Sequence, residues 1–400
     1  MTRADILLGE INTSIRASQS NYLLTHPTSG SIYNFFYSGV DNGLYWMVSY
    51  DSGFSWSAKV LVKAVANNSL YSVWFDRWTP GDTGLVVHIA YAEATGDDVL
   101  YRPFDISTET LGTETTIFAG TSTGSVANMC VSITKAIGGN LYCLFDIDGG
   151  TETGFYRSTD AGGTWGSLSN TAEGGDYFLL APGFAADTQD ILCIFWDRSA
   201  SEISRKIYDD SGDSWAETSI STGMTSIANT TSASQFSISV DDANNKILLA
   251  AWTNRNTVNA DLKFWTIDES SITAGTDVVL NSGGNQCSCA LSLVVSSSTI
   301  YCFYIGKADG SETIGSSVGV YYKTSADGGT TWSAETTASS LSRNYDYLFT
   351  NPVVGDTTGK FFAAYELQTT ALDELLISAL LPSGGGGSVT SPMFGAGVIQ

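Results

Sequence analysis

One short pattern recurs seven times along the chain and restricts the fold more than any other feature of the sequence. Each copy is an apolar segment ending in an aromatic residue, followed by a polar loop, a second apolar segment and a turn. The closing aromatics are Tyr37, Tyr91, Phe145, Phe195, Trp252, Tyr304 and Tyr365. Repeats of about 55 residues, made of short apolar segments without a helical period, are typical of four-stranded propeller blades.

The repeats therefore predict an all-β fold, namely a single β-propeller of four-stranded blades. Seven copies predict seven blades, and the alternative is six, if the first and last repeats share one blade. We assign residues 21–381 to the propeller, 1–20 to an N-terminal arm and 382–400 to a Gly-rich linker and C-terminal tail. Because a propeller must cover its first and last edges, we expect 6–11 or 377–381 to pair into the blade at the other end.

Four of the repeats share a turn of the form Ser/Tyr-x-Asp-x-Gly-x-Ser/Thr-Trp. An Asp in such a turn can accept backbone N–H bonds, Gly supplies a positive φ, and Trp packs beneath the turn. We therefore predict a structural role for these positions. They are Asp51, Gly53, Trp56, Asp160, Gly162, Trp165, Asp210, Gly212, Trp215, Asp327, Gly329 and Trp332.

These turns, placed in register with the repeats, resemble the BNR/Asp-box repeat family of β-propellers, whose best-known members are sialidases. The resemblance covers nearly the whole chain. It implies that the Asp turns are structural and lie away from the active face. The segment Trp74–Gly84, with Ile89-Ala90-Tyr91, also resembles Asp-box proteins encoded by bacteriophages.

The resemblance to sialidases is weaker for the chemistry than for the fold. Sialidase chemistry needs an arginine cluster for the sugar carboxylate, a Tyr nucleophile paired with Glu, and an Asp acid/base. The family's early Arg-Ile-Pro signature is absent, and the family usually has six blades. Arg102 and Arg157 occupy matching positions before the Asp turns, which favours structural roles for both. We predict no catalytic residues, with a glycoside hydrolase as the alternative.

The loops after the closing aromatics are the best candidates for a ligand site, since they lie on the face opposite the Asp turns. Carboxylates, amides, guanidiniums and aromatic rings around a propeller mouth could hold a glycan. We expect Arg77 and Arg343, which lie on other connections, to reach the same end. The alternative is that all of these are ordinary polar loop residues. The candidate ligand-binding residues are Arg77, Asp146, Trp196, Asp197, Arg198, Arg255, Arg343 and Glu366.

Composition limits the partners and cofactors. The net charge is −23 with a pI near 4.2, which argues against nucleic acid, because phosphate binding needs a basic surface. Two histidines and no zinc-type Cys spacing predict no metal and no cofactor. Cys143, Cys193 and Cys302 share one repeat position, which indicates a small buried slot. Free thiols are expected, with disulfides from Cys130 and Cys289 to the neighbouring strand as the alternative.

No segment is long and apolar enough for membrane insertion, and residues 1–8 show no secretory signal. We interpret the chain as a non-catalytic, surface-binding propeller of an extracellular particle such as a phage virion. Its expected partners are a cell-surface glycan or other proteins of the particle. A protein-binding scaffold is a further alternative. The sequence leaves the oligomeric state open.

Overall fold

The structure is a computed structural model of the 400-residue chain. It describes residues 6–11, 21–38, 41–51, 55–64, 71–93, 98–120, 130–147, 152–171, 177–184, 187–197, 200–224, 236–253, 261–269, 272–281, 291–296, 298–307, 318–343, 345–350, 361–368 and 373–380. The regular structure in these ranges is β-strand, apart from two 3-10 turns, Asp76–Trp78 and Asp242–Asn244.

The strands follow the chain in consecutive groups, one group for each repeat. A single strand, β1 (Ile6–Ile11), precedes the groups. Blade 1 contains β2 (Asn21–Thr25), β3 (Ile32–Ser38), β4 (Gly43–Ser49) and β5 (Val60–Ala64). Blade 2 contains β6 (Tyr71–Phe75), β7 (Val86–Ala92), β8 (Val99–Asp105), β9 (Thr110–Leu111) and β10 (Thr115–Phe118). Blade 3 contains β11 (Cys130–Lys135), β12 (Leu141–Ile147), β13 (Glu152–Ser158) and β14 (Gly166–Leu168).

The remaining groups continue in the same way. Blade 4 contains β15 (Tyr177–Pro182), β16 (Ile191–Asp197), β17 (Glu202–Asp209) and β18 (Ser214–Thr222), and blade 5 contains β19 (Phe236–Asp241), β20 (Lys246–Trp252), β21 (Leu262–Ile267) and β22 (Ile272–Asn281). Blade 6 contains β23 (Leu291–Ser296), β24 (Thr299–Ile305), β25 (Val318–Ser325) and β26 (Thr336–Arg343). Blade 7 contains β27 (Tyr345–Thr350), β28 (Phe361–Gln368) and β29 (Asp373–Leu380), together with β1.

Within the described residues these strands form seven antiparallel sheets, each with four strands in line, and β9 is an addition to blade 2. The predicted β-propeller of four-stranded blades is confirmed. The first and last repeats form separate sheets, with orders β2-β3-β4-β5 and β1-β29-β28-β27. Strand β1 pairs with β29, from Ile6 opposite Ile377 to Ile11 opposite Asp373. The N-terminal segment 6–11 therefore belongs to the propeller, although the domain boundary drawn at residue 21 put it in the arm.

First strands pack side by side around the centre, β6 with β11, β11 with β15, β19 with β23 and β23 with β27, and β27 returns to β2, which closes the ring. Because neighbouring strands of a blade are antiparallel, their connections alternate between two ends of the propeller. We call the end with the first-to-second and third-to-fourth connections the turn end; in blade 1 these are 26–31 and 50–59. The other end, with the second-to-third connections such as 39–42, is the loop end.

A serine in the first strand joins several blades to the next one around the centre. Ser72 Oγ accepts a hydrogen bond from Ile133 N at 3.1 Å, and Ser132 Oγ accepts one from Leu180 N at 3.0 Å. Ser237 Oγ accepts from Leu293 N at 3.2 Å in the same way. The innermost strand has no partner strand on its central side, so these bonds satisfy backbone donors that would otherwise be buried without an acceptor.

Basic side chains join the outer strands in a second set of contacts between blades. Arg102 Nη1 donates to Val62 O at 2.7 Å, so a third-strand residue of blade 2 bonds the outer strand of blade 1. Lys206 and Lys323 make the equivalent bonds to carbonyl groups of blades 3 and 5. These contacts occupy carbonyl groups at sheet edges, which are otherwise open to pairing with another strand. Arg102 is therefore structural, as predicted.

The cysteines Cys130, Cys143, Cys193 and Cys302 are buried and free. Burial raises the pKa of the Cys143, Cys193 and Cys302 thiols well above the ordinary value. The disulfide alternative from Cys130 is therefore wrong, and Cys289 lies outside the described residues. Among the described residues there is also no helix with the length and apolar character needed to cross a bilayer.

Candidate functional site

Three of the four Asp turns have the same hydrogen bonds. Oδ1 of Asp51, Asp160 and Asp327 accepts the backbone N–H four residues later, at 2.8, 2.8 and 2.9 Å. Oδ2 accepts the hydroxyl of that same residue, and the serine two residues before the Asp donates to Oδ1 at 2.8 Å in each turn. These bonds lower the pKa of Asp160 and Asp327 to about 2. The carboxylates are thus used within their own turns.

The glycines and tryptophans of these turns also contact the preceding blade. Gly162 and Gly329 both have φ +91°, and a Cβ at either would overlap an aromatic ring, Tyr101 and Phe264 respectively. Trp165 packs against the same Tyr101 with ring centroids 5.3 Å apart. Trp332 and Phe264 are 4.9 Å apart. The predicted structural role is therefore one of joining blades as well as forming turns.

The fourth turn differs from the other three. Asp210 Oδ1 accepts from Tyr142 OH at 2.8 Å and from Arg157 Nη1 at 2.6 Å, both in blade 3. Asp209 instead accepts the N–H of Gly212, at 3.0 Å. The physical reason is the residue at the first position, which is Tyr208. Serine at that position donates to the Asp and accepts from the Gly N–H, as in the blade 3 turn, and tyrosine cannot do both.

A buried charged cluster, which the sequence did not predict, joins blades 2 and 3 at the turn end. Asp76 Oδ1 contacts His88 Nε2 at 2.9 Å and Lys135 Nζ at 2.6 Å, and Oδ2 accepts from Val86 N at 2.9 Å. His88 Nδ1 lies 2.7 Å from Tyr101 OH. Since Nε2 faces a carboxylate, it carries the proton, and Nδ1 accepts the tyrosine hydroxyl.

The pKa values in this cluster follow from burial and pairing. Burial alone would raise the pKa of Asp76, but the hydrogen bonds from His88, Lys135 and the Val86 N–H outweigh it, so the pKa falls to about 2. Burial lowers the pKa of His88, which keeps the ring neutral. The sequence indicates only that His88 lies within a strand. The partner of His88, Asp76, lies on the connection between β6 and β7, and the sequence does not show that the two side chains meet until the register of the sheet is known.

A tyrosine–glutamate contact joins blades 1 and 2 at the same end. Glu109, with φ 55°, accepts from Tyr33 OH at 2.9 Å and from Tyr50 OH at 2.6 and 2.8 Å. The bond to Glu109 raises the pKa of Tyr50 to about 12. Tyr50 is 65% exposed, which is the largest exposure of any large apolar or aromatic residue in the described part of the chain. In the described part of the turn end, the Asp turns of blades 1, 3, 4 and 6 and the polar contacts among blades 1, 2 and 3 are therefore bonded within and between blades.

The predicted ligand residues do not all meet at the loop end. Arg77 lies in the 3-10 turn between β6 and β7, at the turn end, so the expectation that it reaches the loop end is wrong. Asp146 and Trp196 are fully buried. The Trp196 ring stacks on Phe236 of blade 5 at 6.4 Å, in the core between two blades. Asp197 is partly exposed and accepts from Ala200 N at 2.8 Å, which shapes its loop.

Two of the other candidates lie on strands that end at the loop end. Arg343 ends β26, and Glu366 lies near the end of β28, so the backbone brings both to the loop end. Arg198 and Arg255 lie outside the described residues, as does Gly53 of the first Asp turn. Among the second-to-third connections, the two longest are the neighbours 253–261 in blade 5 and 306–317 in blade 6. Within the described ranges, no group of His, Cys, Asp and Glu side chains has the arrangement of a metal site.

The geometry defines the class of the protein as a β-propeller of four-stranded blades. No protein-family model matches the sequence, and no curated protein matches it. A solved structure that matches is the polysaccharide lyase Uly1, with TM-score 0.52 and 11% identity over 94% of this chain and 99% of that one. An intramolecular trans-sialidase from Ruminococcus gnavus has TM-score 0.49, with 10% identity over 94% and 96% of the two chains. The SapL1 lectin, solved with alpha methyl fucoside, has TM-score 0.47 at 10% identity over 82% and 98%. The match to the lyase shows that the two chains share a fold.

Proposed function

We propose that this protein is a non-catalytic propeller that binds a glycan at its loop end, as a surface-binding module of an extracellular particle such as a phage virion. The observation that carries the proposal is that the described Asp turns use their carboxylates for bonds at the turn end. At the turn end, Asp51, Asp160, Asp210 and Asp327 are all used in turns or blade junctions. Binding surfaces in such scaffolds are formed by the connections that the framework does not use.

A glycan is the ligand class that best fits the loop end. Sugars present many hydroxyl groups, which planar carboxylate and guanidinium side chains bind with two hydrogen bonds each. The backbone brings Arg343 and Glu366 to this end, and Arg198 follows directly after Asp197 in the sequence. The shared fold with a polysaccharide lyase supports the choice of a carbohydrate. The net charge of −23 favours a neutral or weakly acidic glycan over a polyanion.

Binding and hydrolysis are separated by one experiment on the full chain. A glycan array would identify ligands, and a panel of fluorogenic glycosides and polysaccharides, including a sialoside, would measure turnover with the same protein. Arg198→Ala, Arg255→Ala and Arg343→Ala change the loop end. Arg157→Ala is the matched control, because that arginine is bonded to Asp210 at the turn end.

We expect array binding without turnover, weakened at least tenfold by one or more of the three loop-end changes and retained in the Arg157→Ala variant. Turnover that a loop-end change abolishes would make the protein a glycoside hydrolase or lyase instead. Binding lost equally in the control, or no binding to any glycan, would contradict the proposal and favour a protein-binding scaffold.

A further inference from the structure

Tyr50 carries the most exposed aromatic ring in the part of the chain that the structure describes, at 65% exposure. It comes directly after β4, at the turn end of blade 1. The other exposed large apolar residues in that part are aliphatic, namely Val60, Leu61 and Val279. A single exposed apolar side chain needs no explanation by itself, so the contacts of the Tyr50 ring decide whether it has a use.

The hydroxyl of Tyr50 holds the ring in a fixed position. Its oxygen lies 2.6 and 2.8 Å from the two carboxylate oxygens of Glu109, across the junction of blades 1 and 2. Glu109 Oε1 also accepts from Tyr33 OH at 2.9 Å, and Tyr33 is only 2% exposed. The carboxylate is therefore held from the buried side, and it orients a ring that solvent reaches. Such pre-orientation lowers the entropy cost of binding through the ring.

Glu109 carries a negative charge that no cation balances among the described residues. Its hydrogen bonds all come from neutral tyrosine hydroxyls, which occupy oxygen lone pairs and leave the charge in place. None of the ion pairs between described residues includes Glu109. By contrast, Glu93 and Glu114 both pair with Lys63, at 2.8 Å each. The hydrogen bond to Glu109 raises the pKa of Tyr50 to about 12, so the phenol keeps its proton at neutral pH.

The backbone at Glu109 is unfavourable for the residue that it carries. Its φ of 55° lies in the left-handed region, which L-residues other than Asn and Asp rarely adopt. The residue directly precedes β9, an additional strand that only blade 2 has among the described sheets. Strained residues persist where the surrounding structure holds them, and they cluster at binding sites. The position of Glu109 beside an exposed ring thus points to a use beyond joining two blades.

We propose that Tyr50 and Glu109 form a docking site at the turn end for the guanidinium group of an arginine on a partner protein. A guanidinium is planar, stacks on aromatic faces and is attracted by the negative face of the ring. The unbalanced charge of Glu109 and the net charge of −23 both favour a cation. A sugar would need free acceptors, whereas the Glu109 oxygens already accept from two tyrosines. The site is independent of the proposed function, because both residues lie on turn-end connections.

The first measurement follows the Tyr50 ring directly. The full chain is labelled with ¹³C-tyrosine, and the Tyr50 signal is assigned as the one missing from Tyr50→Phe. It is titrated with a blocked triarginine peptide and with the matching tricitrulline peptide, which has planar but neutral side chains. Salt at about 0.15 M screens the long-range attraction to the net charge. We expect the Tyr50 signal to shift saturably with triarginine and not with tricitrulline. Equal shifts with both peptides, or a shift with methyl glycosides and none with triarginine, would overturn the proposal.

Variants supply the second measurement. Glu109→Gln removes the charge and is expected to weaken triarginine binding, read at the Tyr50 signal, at least threefold. Asp209→Asn removes the same charge from an exposed turn-end residue of blade 4, so it is the matched control and should keep the parental affinity. Equal weakening by both changes would show attraction to the net charge alone and contradict the proposal.

The peptide itself reports whether its arginine stacks on the ring. The side-chain protons of a stacked arginine are expected to shift upfield with the parent protein and with Tyr50→Phe, which keeps a ring, but not with Tyr50→Leu. Thermal unfolding confirms that each variant is folded. An upfield shift that persists in Tyr50→Leu would place the arginine elsewhere, and the proposal would be wrong.

Discussion

Gly162 and Gly212 occupy the same position in the sequence pattern, yet the structure predicts very different costs for replacing them with alanine. At Gly162 the backbone has φ +91°, and a left-handed conformation costs an L-residue about 1–2 kcal/mol. The new Cβ would also lie closer than 3.0 Å to the Tyr101 ring, which is 1% exposed. Overpacking of this kind costs about 1–3 kcal/mol. The expected loss of stability is therefore about 2–5 kcal/mol.

At Gly212 neither penalty applies in full. Its φ is not positive, and the nearest atom to a Cβ is the carboxylate of Asp209, at 2.8 Å, which is the end of an exposed, flexible side chain. We expect Gly212→Ala to cost less than about 1 kcal/mol. Gly212→Ala is the matched control for Gly162→Ala, because both glycines lie in turns between the third and fourth strands of neighbouring blades.

The assay is thermal unfolding followed by circular dichroism. An unfolding entropy of about 2.1 cal per mol per K per residue over 400 residues converts about 2–5 kcal/mol into a Tm decrease of about 2–6 °C. Tyr101→Ala in the Gly162→Ala background should reduce the cost of the glycine change to the backbone part alone, about 1–2 kcal/mol. Equal Tm values for Gly162→Ala and Gly212→Ala would refute the reasoning, as would a cost that is independent of Tyr101.

Two further predictions concern buried groups between blades. The pKa values of His88 and Asp76 are both lowered in the folded protein, so each group contributes stability above its unfolded pKa, about pH 6.5 for His88 and about pH 4 for Asp76. Each contribution is lost as the pH falls through the folded-state pKa of that group. Glutamine in His88→Gln keeps a donor and an acceptor but does not titrate. The midpoint of guanidinium unfolding should therefore change less between pH 7 and 5 in this variant than in the parent protein. An equal change of the midpoint with pH in both proteins would contradict this. Ser132→Ala removes the acceptor of Leu180 N and should cost about 1–3 kcal/mol, with faster hydrogen exchange at that amide; unchanged protection would count against the serine bond.

The repeat pattern was sufficient to predict the architecture because each blade is a local structure. The antiparallel strands of a blade are consecutive in the chain, so the aromatic and the turn of each repeat define the strands without knowledge of distant contacts. The closing aromatics Tyr91 and Tyr365 lie in β7 and β28, the second strands of blades 2 and 7. The sequence offers β1 only as one of two alternatives, because its partner β29 lies near the opposite end of the chain.

The candidate site was harder to predict, since its members are brought together by contacts between blades. Trp196 follows a closing aromatic, where the pattern predicts a loop residue, but β16 continues through it and its ring lies against Phe236 of the next blade. The prediction for Arg77 is wrong because this residue lies between the first and second strands of blade 2, and in an antiparallel blade that connection is at the end opposite the second-to-third loops. A residue's position in a repeat identifies its strand, whereas the end of the propeller it reaches depends on the direction of that strand.

The sequence alone determined that this chain is an all-β propeller with internally bonded Asp turns, since periodic spacing and turn chemistry are local properties of the chain. Only the tertiary structure decided how the blades are joined. It showed that Gly162 lies against Tyr101, that Asp210 bonds to Arg157 rather than within its own turn, and that Arg77 faces the end opposite the loops. The contacts of Gly162 and Asp210 join residues that lie far apart in sequence. They depend on how one sheet packs against the next, so no short-range pattern in the sequence predicts them.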